Sequence, residues 1–202
     1  MLEREFNRKM VIKIPIEISA RHIHLCQKDL EKLFGRGYQL KKLRNLTQPG
    51  QFAAKETVNI KKGKKGIENV RIVGPLRSKT QVELSLTDAI FLRIKIPIRK
   101  SGNLKGSPGI LIVGAKGKLR LKEGVICPWR HIHLSKKDAE KLNLKEGDLV
   151  QFQVKGKRGL IFNNVMIRVS EDFRTCLHLD TDEGNACGIS EKGQGILIIP
   201  NI

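Results

Sequence analysis

Arg21-His-Ile-His-Leu25 returns 109 residues later as Arg130-His-Ile-His-Leu134. The likeness runs on downstream, where Gln27-Lys-Asp-Leu-Glu-Lys-Leu33 answers Lys136-Lys-Asp-Ala-Glu-Lys-Leu142. A repeat of this kind makes the chain an internal duplication. In the second copy Ser135 is placed to cap a helix with Asp138 at its third position, a variant of the capping box. Gly147-Asp148 reads as a tight turn before Leu149-Val-Gln-Phe-Gln-Val154, whose tail alternates as a half-buried strand. Two more strands are expected, at Gly159–Phe162 and at Val165–Val169. Strand, short helix and then several strands with glycine turns describe a small closed barrel under a helical lid. The expected class is therefore mainly β: two pseudo-symmetric small β-barrel domains, each with short capping helices.

The first copy is longer. It adds β-type segments at Val70–Val73 and Phe91–Ile98, then the glycine-rich loop Ser101-Gly-Asn-Leu-Lys-Gly-Ser-Pro-Gly109 leading into Ile110–Val113. The seams fall just before each His-x-His element, near residues 20 and 129. Residues 21–128 then form the first barrel, and residues 1–20 with 129–202 form a discontinuous second one. The opening strand Val11–Ile18 needs a host, and the second barrel is the expected one.

The chain has 202 residues, 39 Lys and Arg against 20 Asp and Glu, and a formal net charge of +19. At 40% hydrophobic residues it can fill a core, which excludes disorder throughout. No apolar run approaches the roughly 20 residues of a membrane span. The charged start, Met1 to Met10, lacks the apolar region of a secretory signal, so a soluble cytoplasmic protein is expected. Cys26, Cys127, Cys176 and Cys187 contain no C-x-x-C pair and read as reduced packing residues. Cys26 and Cys127 do lie close to histidines in sequence. The positive charge suits nucleic acid, an anionic membrane or a polyanionic small molecule. Lys61-Lys-Gly-Lys-Lys-Gly66 reads as an exposed hairpin tip, and only 4% of residues are aromatic, which leaves few stacking platforms for single strands.

Four of the five histidines lie in the repeated motif: His22, His24, His131 and His133. In a strand, residues two apart share a face, so each pair presents two imidazoles side by side. The fifth falls into place when Thr80–Asp88 is set against Thr175–Asp182. Glu83 then lies opposite His178, and Leu84 opposite Leu179. Each copy thus offers a His-x-His pair and one further donor. Three N and O ligands with a position open describe a catalytic zinc site, although cobalt, nickel and iron(II) accept the same donors. A purely structural reading, with the imidazoles bonded to backbone carbonyls, stays open on spacing alone. Arg77 lies six residues before Glu83, and an unbroken strand would put both on one face, where a guanidinium can fork a phosphate. Arg99-Lys-Ser-Gly102 is placed to add phosphate contacts through backbone N–H groups. The loop after it matches neither the P-loop nor the dinucleotide fingerprint.

These blocks together resemble the PduL-type phosphotransacylases, the phosphate propanoyltransferases. The resemblance rests on both His-x-His motifs, Gly74-Pro-Leu-Arg-Ser-Lys-Thr-Gln-Val-Glu83, Thr87-Asp88, Pro97-Ile-Arg-Lys-Ser-Gly102, Gly106-Ser-Pro-Gly109 and His178-Leu-Asp-Thr-Asp-Glu-Gly-Asn-Ala186. It implies an enzyme that interconverts acyl-coenzyme A plus phosphate with acyl phosphate plus coenzyme A, using two metal ions, usually zinc, between two barrels. Carried over, His22, His24 and Glu83 hold one ion, whose open position takes the coenzyme A sulfur. His131, His133 and His178 hold the other, completed by water or phosphate. Arg77 matches the phosphate-binding arginine, and Arg99, Ser101, Gly102 and Gly106 are expected at the coenzyme A loop. The resemblance also implies a homodimer. Members sent to bacterial microcompartments carry an amphipathic N-terminal extension. The short, charge-rich stretch of about ten residues before the first strand does not match it, so a free cytoplasmic enzyme acting on acetyl or propanoyl groups is expected. Two rivals remain: a basic double barrel that binds nucleic acid, and a zinc hydrolase of a thioester or phosphorylated substrate.

Overall fold

The computed structural model describes residues 12–199. The charged opening stretch, Val11 and the last three residues lie outside them. The first elements are β1 (Ile12–Ile18), β2 (His22–His24), α1 (Gln27–Phe34), β3 (Lys42–Asn45), β4 (Phe52–Lys62), β5 (Lys65–Gly74), β6 (Gln81–Glu83) and α2 (Leu86–Leu92). Next come β7 (Ile98–Arg99), β8 (Leu111–Val113), β9 (Lys118–Arg120) and β10 (Val125–Pro128). The chain ends with β11 (His131–Ser135), α3 (Lys136–Lys141), β12 (Leu149–Val154), β13 (Leu160–Ser170), β14 (Cys176–Leu179), α4 (Thr181–Cys187) and β15 (Lys192–Ile198). The protein is mainly β, as expected. Strands β1-β14-β11-β13-β12-β15 close a six-stranded barrel. The other nine form a curled half-barrel, ordered β7-β10-β6-β2-β5-β4-β8-β9 with β3 on β4.

The duplication is visible in the pairing. Strand β2 lies parallel to β5 and antiparallel to β6, and β11 lies parallel to β13 and antiparallel to β14. In both, the isoleucine between the histidines and the leucine after them face inward. Ile23, Leu25, Ile132 and Leu134 are fully buried, in two separate apolar clusters. Burying such a side chain stabilises the fold by about 1.5–3 kcal/mol, so the apolar face of the motif fixes which way the imidazoles point. Barrel closure depends on small residues in β15: a Cβ at Gly195 would lie 2.2 Å from Cε1 of the fully buried Phe152.

The strand before each motif belongs to the opposite sheet. β1 precedes the first motif yet pairs with β14 and β15 of the closed barrel. β10 precedes the second motif yet pairs with β6 and β7 of the half-barrel. The chain crosses from one sheet to the other at residues 19–21 and again at 129–130, which sets the two His-x-His strands on either side of one cleft.

Two expected elements differ. Phe91–Ile98 is not a strand, because α2 runs to Leu92 and Arg93 turns left-handed at φ 54°. The alternation is real as burial, with Leu92, Ile94 and Ile96 in the core. This stretch takes no sheet partner until Ile98, so an apolar strip read as a strand. The strands expected at Gly159–Phe162 and Val165–Val169 are one strand, β13, which passes through a left-handed Asn164 beside a bulge opposite β12. Lys61–Gly66 is the β4–β5 hairpin tip, with Gly63 at φ 58°. The cysteines are free; Cys127, Cys176 and Cys187 are buried. No helix among the described residues is long and apolar enough to cross a membrane.

Candidate functional site

One cleft of about 400 Å³ is lined by all six expected ligands together with Arg77, Ser101 and Arg168. His22 is paired in register with Glu83, and His131 with His178. The third donor therefore reaches its pair across the antiparallel ladder rather than along the chain. Each motif arginine fastens this arrangement. Arg21 Nε lies 2.9 Å from Asp88, and Arg130 donates to Glu183 at 2.6 Å. Asp88 and Glu183 are the third helical residues after the caps Ser85 and Asp180, so the helix following each third donor is tied to the motif strand. The structure thus sets Asp88 against Glu183, one residue along from the acidic match read off the sequence.

The ring tautomers follow from hydrogen bonding. His22 Nδ1 donates to the Ala20 carbonyl at 2.8 Å, and His131 Nδ1 donates to the Trp129 carbonyl at 2.7 Å. His24 Nδ1 donates to the Val73 carbonyl at 3.0 Å. In the first cluster both Nε2 atoms are then bare lone pairs, yet they lie 3.1 Å apart. Two acceptors cannot satisfy each other. Glu83 adds carboxylate oxygens at 3.4 Å from His22 Nε2 and 3.8 Å from His24 Nε2. A tetrahedral ion with bonds of about 2.0–2.1 Å spaces its ligand atoms by about 3.3 Å. The donor set fits a divalent cation, and the all-backbone reading of the histidines leaves these lone pairs without partners. In the second cluster His133 Nδ1 and His178 Nε2 are buried with no hydrogen-bond partner among the described residues, and the ring centroids lie 4.6, 4.7 and 5.3 Å apart. Glu17 on β1 approaches the same His178 Nε2 at 3.8 Å. Cys176, paired opposite His133 as Gln81 is opposite His24, also groups with them. Its thiol is pushed up to about 12, chiefly by burial.

Burial, and then the neighbouring imidazoles, lower His24 and His131 to about 3, and burial lowers His133 and His178 in the same direction. All four imidazoles are neutral at neutral pH. Burial raises Glu83, but His22, His24, Arg77 and the Ser101 hydroxyl outweigh it and hold the carboxyl at about 2. The sign for stability follows. As pH falls below 6.5 the unfolded chain takes up protons that the metal-free folded chain refuses down to about 3. The folded state should lose about 1.4 kcal/mol per pH unit for each such histidine in that window. Urea midpoints measured in chelator should therefore fall steeply on acidification. A flat profile would mean that these rings are not buried neutral.

Arg77 reaches the cleft by a different route from the expected strand face. The chain leaves β5 at Gly74, and β6 begins only at Gln81. The Arg77 amide donates to Leu25 at 2.9 Å, and its guanidinium donates to Ser101 Oγ at 2.9 Å. Ser101 Oγ in turn donates to Glu83 at 2.9 Å and accepts from Gln81. Of the expected loop residues, only Ser101 lines the cleft. The Gly102 amide donates to Gln81, the Gly106 amide donates to Glu123, and Arg99 donates to the Lys105 carbonyl. These N–H groups are committed, so they form no open anion nest.

Arg168 was not singled out by the sequence. The β5 and β13 pairings align Val70-Arg-Ile-Val73 with Val165-Met-Ile-Arg168. An arginine where the other half holds a buried valine is a signal that aligning the two copies would have exposed.

Comparison with known proteins bears on this arrangement. A family model described as phosphate propanoyltransferase matches residues 15–190. The chain belongs to the phosphate propanoyltransferase family. Curated proteins bearing that name include one from Thermotoga maritima, 53% identical over 86% of this chain and 83% of its own. One from Salmonella typhimurium is 52% identical over 87% and 83%. One from Listeria monocytogenes is 45% identical over 98% and 93%. The match to a phosphate propanoyltransferase thus spans both motifs, both third donors, Arg77 and Arg168.

Proposed function

We propose that the cleft transfers an acetyl or propanoyl group between coenzyme A and phosphate, with two divalent ions, zinc for preference, held by His22, His24 and Glu83 and by His131, His133 and His178. The carrying observation is the first cluster, where two lone pairs 3.1 Å apart meet a carboxylate in a chain of this family. The chemistry such ions supply is Lewis acidity at the thioester carbonyl and a site for the leaving thiolate.

The chain's own groups do the rest. Arg77, fixed through Ser101, presents its free guanidinium edge to phosphate in a bidentate fork. An oxygen of the held hydrogen phosphate attacks the carbonyl carbon, the C–S bond breaks, coenzyme A leaves as its thiolate, and the phosphate proton passes to water. Glu83, kept ionised by Ser101 and its neighbours, stays a charged ligand throughout the working pH range. The cleft's basic lining suits two anionic substrates.

The test is coenzyme A release from acetyl- or propanoyl-coenzyme A with and without phosphate. Release that ignores phosphate would point to a hydrolase, and no release would return the nucleic-acid reading. Arg77→Ala should raise the phosphate KM by about 10- to 100-fold, the loss of a charge-assisted hydrogen bond, with little change in the acyl-coenzyme A KM. Unchanged phosphate kinetics would remove Arg77 from this role.

A further inference from the structure

We propose that Arg168 is a second grip on the phosphoryl group, facing Arg77 across the cleft so that one tetrahedral anion bridges the two guanidinium groups. The proposal rests on the phosphotransfer reading above and adds a residue to it.

Arg168 lies on β13 directly beside His133 in the parallel register. Paired residues in a sheet share a face, and both side chains line the cleft. Phe173 supports the two together, 4.2 Å from the His133 ring and 5.7 Å from the guanidinium carbon of Arg168. The Arg168 Nε is buried and has no hydrogen-bond partner. Among the described residues no carboxylate lies within ion-pair distance of it. The nearby Glu146 is committed to Lys100 and to the Val169 amide. Glu83 is committed to Ser101, Gln81 and the histidines.

A half-buried guanidinium whose buried Nε has no partner is costly, and placing a second one in the same cleft adds repulsion. Two guanidinium groups lining one cleft, one with a buried Nε that no group among the described residues satisfies, suit an anion as their common partner. The half-barrel keeps a valine at the matching place, Val73, whose carbonyl takes the His24 ring proton. The two halves have therefore diverged: one uses this position to orient a ligand, the other to bring in charge. The anion is the small one, inorganic phosphate or the phosphoryl end of an acyl phosphate, because the donor is buried beside His133.

The experiment compares Arg168→Met, Arg168→Lys and Arg77→Ala in the metal-loaded full chain. It reads steady-state constants for both substrates and the melting shift produced by inorganic phosphate against chloride at equal ionic strength. Arg168→Met should raise the phosphate KM about 10- to 100-fold and leave the acyl-coenzyme A KM within about twofold. It should also melt no lower than wild type without phosphate and lose the phosphate-induced shift. Arg168→Lys should recover part of both. Combined with Arg77→Ala, its effect should be less than additive, since one anion joins the two.

A melting point that drops while the phosphate shift persists would make Arg168 merely structural and overturn the proposal. A raised acyl-coenzyme A KM with unchanged phosphate KM would assign it to the nucleotide and also overturn it. If wild type shows a phosphate shift that Arg168→Met abolishes, yet no phosphate-dependent thioester cleavage, the anion site stands and the activity falls. If wild type shows no phosphate shift, Arg168 has no anion to hold and the proposal fails.

Discussion

His131→Ala is expected to abolish phosphate-dependent thioester cleavage and to remove about one ion per chain, with the fold intact. Metal Lewis acidity is worth several kcal/mol of transition-state stabilisation, so the loss should reach about 10³-fold or more in kcat/KM, at about 1.4 kcal/mol per tenfold. The fold should survive because little holds His131 apart from its role as a donor. Its Nδ1 bonds one carbonyl, Trp129, beside a chain crossing, while the apolar anchor of the strand is the fully buried Ile132. Two surviving donors, His133 and His178, fall short of a cage. His131→Ala combined with His133→Ala should therefore cost no more activity than His131→Ala alone, as groups that act as one unit do. Elemental analysis beside circular dichroism decides the matter. A folded His131→Ala protein with full metal content and turnover would remove the second cluster from the site.

The sequence made the two donor clusters legible because duplication supplied a control. A single His-x-His is an ordinary pair of strand residues, but its recurrence with Glu83 and His178 at matching places singled out six donors that line one cleft; their cross-strand register was not legible. Pairing of the N-terminal strand with the second barrel was legible for a related reason: an apolar strand with no partner in its own copy must find one elsewhere. What failed was local. Phe91–Ile98 carries a strand's alternation because an extended chain buries alternate residues whether or not it hydrogen-bonds to a neighbour. Arg77 was placed by counting along a strand that does not exist. It reaches the same cleft because Leu25 and Ser101 hold it there. Arg99–Gly102 reads as a source of backbone phosphate contacts, but sequence cannot show that Gln81 already takes the Gly102 amide.

The same comparison shows where the halves part company. Each keeps the His-x-His strand, the arginine tied to a following helix and a third donor across the ladder. They differ in charge at the third donor, Glu83 against His178, and at the neighbouring strand, Val73 against Arg168. On the proposed reading, one half would hold a cation with a formal negative charge, and the other would hold one beside a positive charge. A negatively charged ligand suits an ion that receives a neutral thioester and releases a thiolate. An all-imidazole set beside an arginine suits an ion that must share an anionic phosphate.

Glu83→Gln tests that division most sharply. The two side chains are nearly isosteric, and the amide oxygen can still accept from Ser101 and Gln81, which both bond Oε1 of Glu83. The amide nitrogen would take the place of Oε2, facing His22 Nε2, where it donates to a lone pair that otherwise wants a cation. The variant should fold as well as wild type and bind one ion per chain rather than two. It should lose about 10³-fold in kcat/KM, on the scale of a lost metal centre. Glu83→Ala should lose the same ion but also stability, about 1–3 kcal/mol, because the Ser101 hydroxyl and one N–H of the buried Gln81 amide lose their acceptor. The pair of variants therefore separates the carboxylate's charge, which both remove, from its place in the hydrogen-bond chain, which only alanine removes. Two ions per chain and near-normal turnover in Glu83→Gln would show that no ion depends on the Glu83 carboxylate, and the assignment of Glu83 as the third donor of the first cluster would fall.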